Sequence, residues 1–481
     1  METMMYNVTG MLPLVVIWLA LGAVGIVIQA FVRNTKLVFG FYAATLAGTM
    51  ALAIATAGVK DTTAYGMITV GGYANYFDAL FCAAGLLAIV AARPFLQRDD
   101  SEYDEFYTLL VSSVAGMMLL AHSNNMVVTF VGVELMSISF YVMAGFFRRD
   151  LRSIEAALKY FLLGAFATGF LVYGMALVYG STASLDYQVI AKVGFEGGGR
   201  FPLLMAIGAT LITVGFSFKI SAFPFHQWAP DVYEGSPTVV TSFMSTAGKA
   251  AAFAAMWPIL QAVLTRQGGA MDPSGQMMLG IIAAITMLVG NISALTQSNI
   301  KRMLAYSSVA HAGYMLMGIL HGGAEGMSAM VFYVTAYVFM QMGAFVIVSI
   351  LERSNDEHVQ VADYAGLAKR EPILAGLLAL FMFSLAGIPP FGGFFGKYML
   401  FKAAIDANMT WLAIVGVISS VISMWFYLGL IVKMYFTEPS GAHQSARPGI
   451  ASVTLAVTGV VVVLLGILPA VVTNIIGTWA P

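Results

Sequence analysis

Apolar runs of about twenty residues recur from one end of this chain to the other, which restricts it to folds that use lipid as their main solvent. A helix rising 1.5 Å per residue needs roughly 20 residues to cross a hydrocarbon core about 30 Å thick. Fourteen segments meet that requirement: 11–32, 37–57, 75–93, 106–121, 125–147, 153–179, 202–222, 237–265, 275–296, 301–320, 326–351, 372–401, 409–435 and 449–475. Only 10% of the residues are charged, against roughly a quarter in soluble domains. The first run follows Glu2 rather than Lys or Arg, is longer than a signal-peptide core and lacks a cleavage signature, so it reads as a spanning helix. The connections are too short to fold independently, so 1–481 is expected to be a single all-α polytopic membrane domain.

Because charge is scarce, its position carries the information. With the N-terminus outside, one side of the membrane receives fourteen basic residues: Arg33, Lys36, Arg93, Arg98, Arg148, Arg149, Arg152, Lys301, Arg302, Arg353, Lys369, Arg370, Lys433 and Arg447. The other side receives Lys60, Lys192, Arg200, Arg266 and Lys402. The positive-inside bias then puts both termini on the periplasmic side of a bacterial inner membrane. A net charge of −1 excludes a nucleic-acid partner, since no basic excess is available to neutralise phosphates. The single cysteine, Cys82, can build neither a disulfide framework nor a cysteine-ligated iron–sulfur cluster on this chain. No metal or cofactor site is expected here, and the glycines 197–199 lack the Lys-Ser/Thr pair of a phosphate loop. Thr62, Thr63, Ile68 and Val70, followed by two glycines, suggest a small periplasmic hairpin.

Four lysines fall inside apolar spans, Lys159, Lys219, Lys249 and Lys397, together with the acid Glu134. Each such charge costs roughly 2.5 to 3.5 kcal/mol at the centre of a spanning helix, so it demands partners, internal water or a function. Glu134 lies about nine residues, or roughly 13 Å, into its helix and cannot easily reach an interface. Its bland alternative is a helix–helix contact. Lys159 is shallower, and an i,i+4 pair with Glu155 is an equally simple reading. Lys249 is surrounded by Ala and Gly, which let neighbouring helices or water approach closely. Lys219 precedes Pro224, which removes a backbone donor and breaks the helix.

The run Ala386-Gly-Ile-Pro-Pro-Phe-Gly-Gly-Phe-Phe-Gly-Lys397 repeats that arrangement, because two prolines and four glycines cannot continue a helix. The predicted discontinuous spans are therefore the seventh and the twelfth, five apart. An odd spacing reverses direction across the membrane, so spans 4–8 and 9–13 are expected to form two inverted five-helix repeats, a secondary-transporter design. Polar groups freed at the breaks imply cavities at membrane depth. His226, Tyr306, Ser307, Ser308, His311 and Tyr314 supply titratable or hydroxyl groups between the repeats. Their chemistry suits proton relay, although a lone histidine is as readily structural.

In FVGVELMSIS (130–139), FKISAFPFHQWAPDVYEGSP (218–237) and AGIPPFGGFFGKY (386–398) the chain resembles the antiporter-like membrane subunits of respiratory complex I, over spans 1 to 14. EGSPT and the lysine at 397 are similar to the N branch, since the M branch carries Glu at that position and the L branch adds a long lateral helix. The resemblance implies a proton-translocating subunit of NADH:quinone oxidoreductase whose partners are the other membrane-arm subunits, the lipid bilayer and protons. It implies a switching pair of Glu134 and Lys219, a central relay at Lys249, and exchange with the periplasm at Lys397. Lys159, His226 and His311 are further relay candidates. NADH, flavin, iron–sulfur clusters and quinone would belong to partner subunits. The rival readings are a multisubunit sodium/proton antiporter subunit, a ferredoxin- or hydrogenase-linked relative, and a structural subunit that does not pump.

Overall fold

The computed structural model describes residues 34–56, 62–64, 66–194, 201–265, 271–352, 359–439 and 448–479, with isolated positions between 22 and 31. Residues 11–21, 23, 30 and 32 of the first predicted span, Glu2, the glycines 197–199 and Arg33, Lys60, Arg200, Arg266, Arg353 and Arg447 lie outside the described residues. Helix α1 (Thr35–Ala55) leads into an antiparallel hairpin of β1 (Thr62–Ala64) and β2 (Ile68–Val70), which pairs Thr62 with Val70 and Ala64 with Ile68. There follow α2 (Gly72–Arg98), α3 (Asp104–Ala121), α4 (Met126–Ala144), α5 (Leu151–Thr182), a short α6 (Tyr187–Gly194), α7 (Pro202–Lys219) and α8 (Trp228–Gly235). Next come α9 (Thr238–Leu264), α10 (Pro273–Leu295), α11 (Ile300–His321) and α12 (Ala324–Leu351). The chain ends with α13 (Pro372–Ala386), α14 (Gly392–Asp406), α15 (Thr410–Phe436), α16 (Ala451–Ile467) and α17 (Pro469–Trp479).

Eleven described helices are long and apolar enough to cross a membrane, or twelve if the bent pair α16 and α17 is one span. Their starts are set by side chains that accept otherwise orphaned N–H groups: Asn34, Asn125, Asp150, Asp272 and Asn299 cap α1, α4, α5, α10 and α11. Neighbouring helices approach through glycine. A Cβ on Gly116 of α3 would lie 2.5 Å from the Met136 nitrogen of α4, and one on Gly290 of α10 would lie 2.5 Å from the Ala310 nitrogen of α11. Only hydrogen fits between such backbones. Helices α11 and α12 are almost wholly buried, whereas α5 and α15 turn large apolar side chains such as Phe166 and Trp425 outward.

Three features depart from the expected spans. The last one does not run straight to 475, because α16 and α17 are bent by 91° at a break on Leu468. Pro469 cannot donate to the turn before it and holds Leu468 out of the helical region, at φ −124°, ψ 51°. Within α9, Met244–Gly248 form a π-helical turn immediately before Lys249. Lys301, counted above among the loop cations, is 1% exposed; its ammonium lies 3.5 Å from a Glu352 carboxylate oxygen and donates to the Ser236 carbonyl. A cation at the first turn of α11 is acceptable there because its carboxylate partner is buried with it.

Candidate functional site

The seventh span divides as expected. Helix α7 ends on Lys219, Ser221 takes a left-handed φ of +60°, and α8 resumes at Trp228. The backbone freed by the break is satisfied by protein: the Trp228 indole donates to the Phe218 carbonyl at 3.0 Å, and the Phe223 N–H donates to the Thr286 hydroxyl of α10 at 3.0 Å. Lys219 is buried at the negative end of the α7 dipole, a position that favours a cation. Its ammonium donates to the Ser137 hydroxyl at 2.8 Å and the Tyr141 hydroxyl at 3.4 Å, both on α4. Glu134 sits one turn before Ser137, half-buried, and accepts from the Thr168 hydroxyl of α5 at 2.8 Å. Glu134 and Lys219 form no direct ion pair; Ser137 is the nearer partner of the lysine.

The twelfth span divides between α13 and α14. Gly387 ends α13 at φ +83°, with its N–H and that of Ile388 returning to the Phe383 carbonyl. Lys397, one turn into α14, reaches back and donates to the Leu385 and Ala386 carbonyls at 3.1 and 3.0 Å and to the Ser420 hydroxyl at 2.9 Å. The break thus presents helix C-terminal carbonyls to the ammonium itself, whereas the Lys219 ammonium at the seventh span is held by α4. A Cβ on Gly387 would fall 2.9 Å from Cδ of Lys397, so the glycine makes room for the lysine as well as for the turn.

Between the breaks, Lys249 is 1% exposed and donates to the Ser308 carbonyl of α11 at 2.6 Å. The Ser308 hydroxyl accepts from Tyr337 at 2.8 Å. One turn further along α11, the two ring nitrogens of His311 lie 2.6 Å from the Tyr333 hydroxyl and 3.1 Å from the Tyr427 hydroxyl, and Tyr427 also bonds Ser307. Tyr314 completes the face, with its ring 4.8 Å beneath the Lys397 ammonium and its hydroxyl accepting from Asn291. Lysines 249 and 397 and His311 therefore lie along one buried polar seam whose spine is α11.

Residues 123–423 match the model of the family described as NADH:quinone oxidoreductase/Mrp antiporter, TM. The NADH-quinone oxidoreductase subunit N 1 of Chloroherpeton thalassium is 45% identical over 404 residues, covering 84% of each chain. That of Herpetosiphon aurantiacus is 40% identical over 481 residues, 98% of this chain and 96% of the relative. The chain belongs to the subunit N family of NADH-quinone oxidoreductase, the antiporter-like membrane subunits of complex I. A chain of respiratory complex I from Thermus thermophilus has the same fold, with a TM-score of 0.83 at 35% identity over 96% of this chain and 98% of that one. A chain of the Mrp complex from Dietzia sp. gives the same TM-score at 22% identity, over 97% of this chain and 96% of that one, and shares the fold alone.

Not every residue singled out in this subunit N chain joins the seam. His226 is half-buried beside Phe223 and bonds none of the lysines. Lys159 has a side chain 40% exposed and is ion-paired to Glu155 at 2.7 Å, one turn away, and to Asp231 at 2.8 Å. Asp231 and Glu234 in turn hold Arg302 at 2.8 and 2.7 Å, which makes a charged cluster at the start of α11. The hydroxyl partners Ser137, Tyr141, Tyr333, Tyr427 and Ser420 went unread, because serine and tyrosine in an apolar span carry no sign of which neighbour they face.

Proposed function

We propose that this chain translocates protons as a membrane-arm subunit of complex I, through Glu134, Lys219, Lys249 and Lys397, with His311 between the last two. The observation that carries the reading is the recurrence of one device: a broken helix whose C-terminal end meets a buried lysine, once at Lys219 and once at Lys397, on either side of Lys249 and His311. A buried lysine can gain and lose a proton as a nearby carboxylate or water shifts, whereas a guanidinium cannot. Glu134 supplies the carboxylate on the Lys219 side. Half-helix C-termini beside unwound backbone are the places where such folds hold protons or sodium ions.

Fourteen spans with inverted repeats account for this recurrence. In that arrangement α3, α4, α5, α7 with α8, and α9 correspond to α10, α11, α12, α13 with α14, and α15, in opposite directions. The glycine contacts of α3 with α4 and of α10 with α11 fall on matched pairs, which supports the correspondence. Glu134 lies on the face of α4 that exposes Val127, Val131, Ile138 and Val142, a stripe suited to a neighbouring membrane-arm subunit. NADH, flavin, iron–sulfur clusters and quinone are assigned to other subunits, and both termini to the periplasmic side of the inner membrane.

The test is isolation of the intact assembly. Copurification with peripheral iron–sulfur subunits, together with NADH-driven quinone reduction that acidifies one side of reconstituted vesicles, is the expected result. Sodium-dependent proton exchange by an assembly lacking those subunits would overturn it in favour of the antiporter reading.

A further inference from the structure

Besides Lys301 and Glu352, the proton seam leaves a second buried ionisable pair unused among the described residues. Asp78, near the start of α2, is 0% exposed, and His122, the residue that ends α3, is 1% exposed. His122 Nε2 lies 2.8 Å from Oδ2 of Asp78, and its Nδ1 lies 2.8 Å from the Thr69 carbonyl of β2. A carbonyl only accepts, so Nδ1 carries a hydrogen. The contact at Nε2 then requires one further proton, either on the ring and donated to the carboxylate or on Asp78 and donated to the ring. Without it, a ring lone pair would face a carboxylate whose other oxygen, Oδ1, is buried with no hydrogen-bond partner among the described residues.

The same loop is the anchor of the hairpin. The Thr69 N–H donates to the His122 carbonyl at 2.7 Å, the Asn124 N–H donates to the Met67 carbonyl at 3.0 Å, and Ile68 bridges Ser123. On its other side the loop pairs Asn125 with Asp186 and leads directly into α4, the helix of Glu134. The titratable groups around it are Cys82, one turn along α2 from Asp78; Tyr187 of α6, whose hydroxyl meets Ser123 and Thr129; and Asp186, which accepts from Asn124. Tyr73 and Tyr76 on α2 send their hydroxyls to the Ala254 carbonyl and to Thr335.

We propose that Asp78 and His122 form a buried proton-binding site, separate from the lysine seam, whose single exchangeable proton fastens the β1–β2 hairpin to the loop that starts α4. The docked pair holds one proton more than the separated pair at any pH where a free histidine is neutral. Opening the hairpin therefore releases a proton. The docked state is favoured at low pH, and its opening becomes about tenfold easier per pH unit above the ordinary histidine range.

The test is hydrogen–deuterium exchange of residues 66–70 in the intact complex as a function of pH, corrected for the intrinsic exchange rate, in wild type and Asp78→Asn. The asparagine amide can donate to Nε2 while Nδ1–H stays on Thr69, which keeps the geometry and removes the titration. Protection that falls with rising pH in wild type and stays level in Asp78→Asn is the expected result. A level wild-type profile, or the same slope in both proteins, would overturn the site. If Asp78→Asn does not assemble, the ¹⁵N signal of His122 in the wild-type complex decides. At a pH above the ordinary histidine range, a doubly protonated ring, or a ring with one proton beside an Asp78 carboxyl whose ¹³C signal is that of the acid, supports the proposal, and a singly protonated ring beside an ionised carboxylate overturns it. None of these readouts depends on pumping, so the site can fail while the proposed function stands.

Discussion

The two broken helices solve one problem with the lysine on opposite sides of the gap. At the first, Lys219 is the last residue of the helix that stops, and its ammonium turns sideways to Ser137 and Tyr141 of α4. At the second, Lys397 belongs to the helix that restarts, and its ammonium turns back onto the Leu385 and Ala386 carbonyls and Ser420. The first lysine is thus held by a neighbouring helix that also carries a carboxylate, and the second by the break itself. The left-handed residue differs accordingly. It is Ser221 at the first break, and at the second Gly387, whose missing side chain leaves room for Lys397.

This contrast can be broken most forcefully at the second lysine. Lys397→Met keeps an unbranched stem and removes the ammonium, and should lower coupled proton transport by about tenfold or more in a fully assembled complex. Lys397→Arg keeps the charge but cannot release the proton, so it should be impaired as well. Proton translocation in reconstituted vesicles is the measurement, and wild-type pumping by both variants would make Lys397 a structural lysine. Next in size is Glu134→Gln, which preserves the acceptor for Thr168 and removes the charge near Lys219. A several-fold loss of pumping with intact assembly is expected, and unimpaired coupling would detach Glu134 from the first break.

The backbone offers the finer comparison. Gly387→Ala places a Cβ at positive φ and against the Lys397 stem, and should cost on the order of 1–3 kcal/mol, read as a lower thermal midpoint together with slower coupled turnover. Ser221→Gly relieves the same conformation at the first break, where Lys219 turns away toward α4. It should leave turnover unchanged and shift the midpoint by no more than the equivalent of about 1 kcal/mol. Equal effects of the two substitutions would mean that the breaks do not hold their lysines differently.

Much of this was legible in the sequence, for physical reasons that also mark its limits. Proline and glycine declare where a helix must stop, so both breaks could be placed. A lysine flanked by alanine in a spanning helix declares its cost, so Lys249 stood out. The acceptor it uses could not be named, since a backbone carbonyl such as that of Ser308 leaves no trace in the residue types. Lys301 looked like a loop cation because its buried partner, Glu352, lies 51 positions away. Asp78 was passed over on the same grounds: its histidine follows 44 positions later, on another helix. Lys159 was readable both ways, and its bond to Glu155 is the i,i+4 pair that the spacing allowed.

The π-helical turn at Met244–Gly248 carries a consequence for how the central lysine is aimed. A π turn accommodates one residue more than an α turn, and one residue is worth about 100° of rotation about the axis. The two segments of α9 are therefore out of phase, and Lys249, the first residue after the slip, takes its bearing from the length of the chain before it rather than from the chemistry of the side chains around it. Removing a single small residue such as Ala247 would restore an unbroken α-helix of nearly identical composition. Straightening the turn with every residue kept would instead turn Lys249 through about a quarter of a circle, away from Ser308 and out of the seam, whereas the deletion removes the extra residue together with the turn that absorbs it and leaves the bearing of Lys249 unchanged.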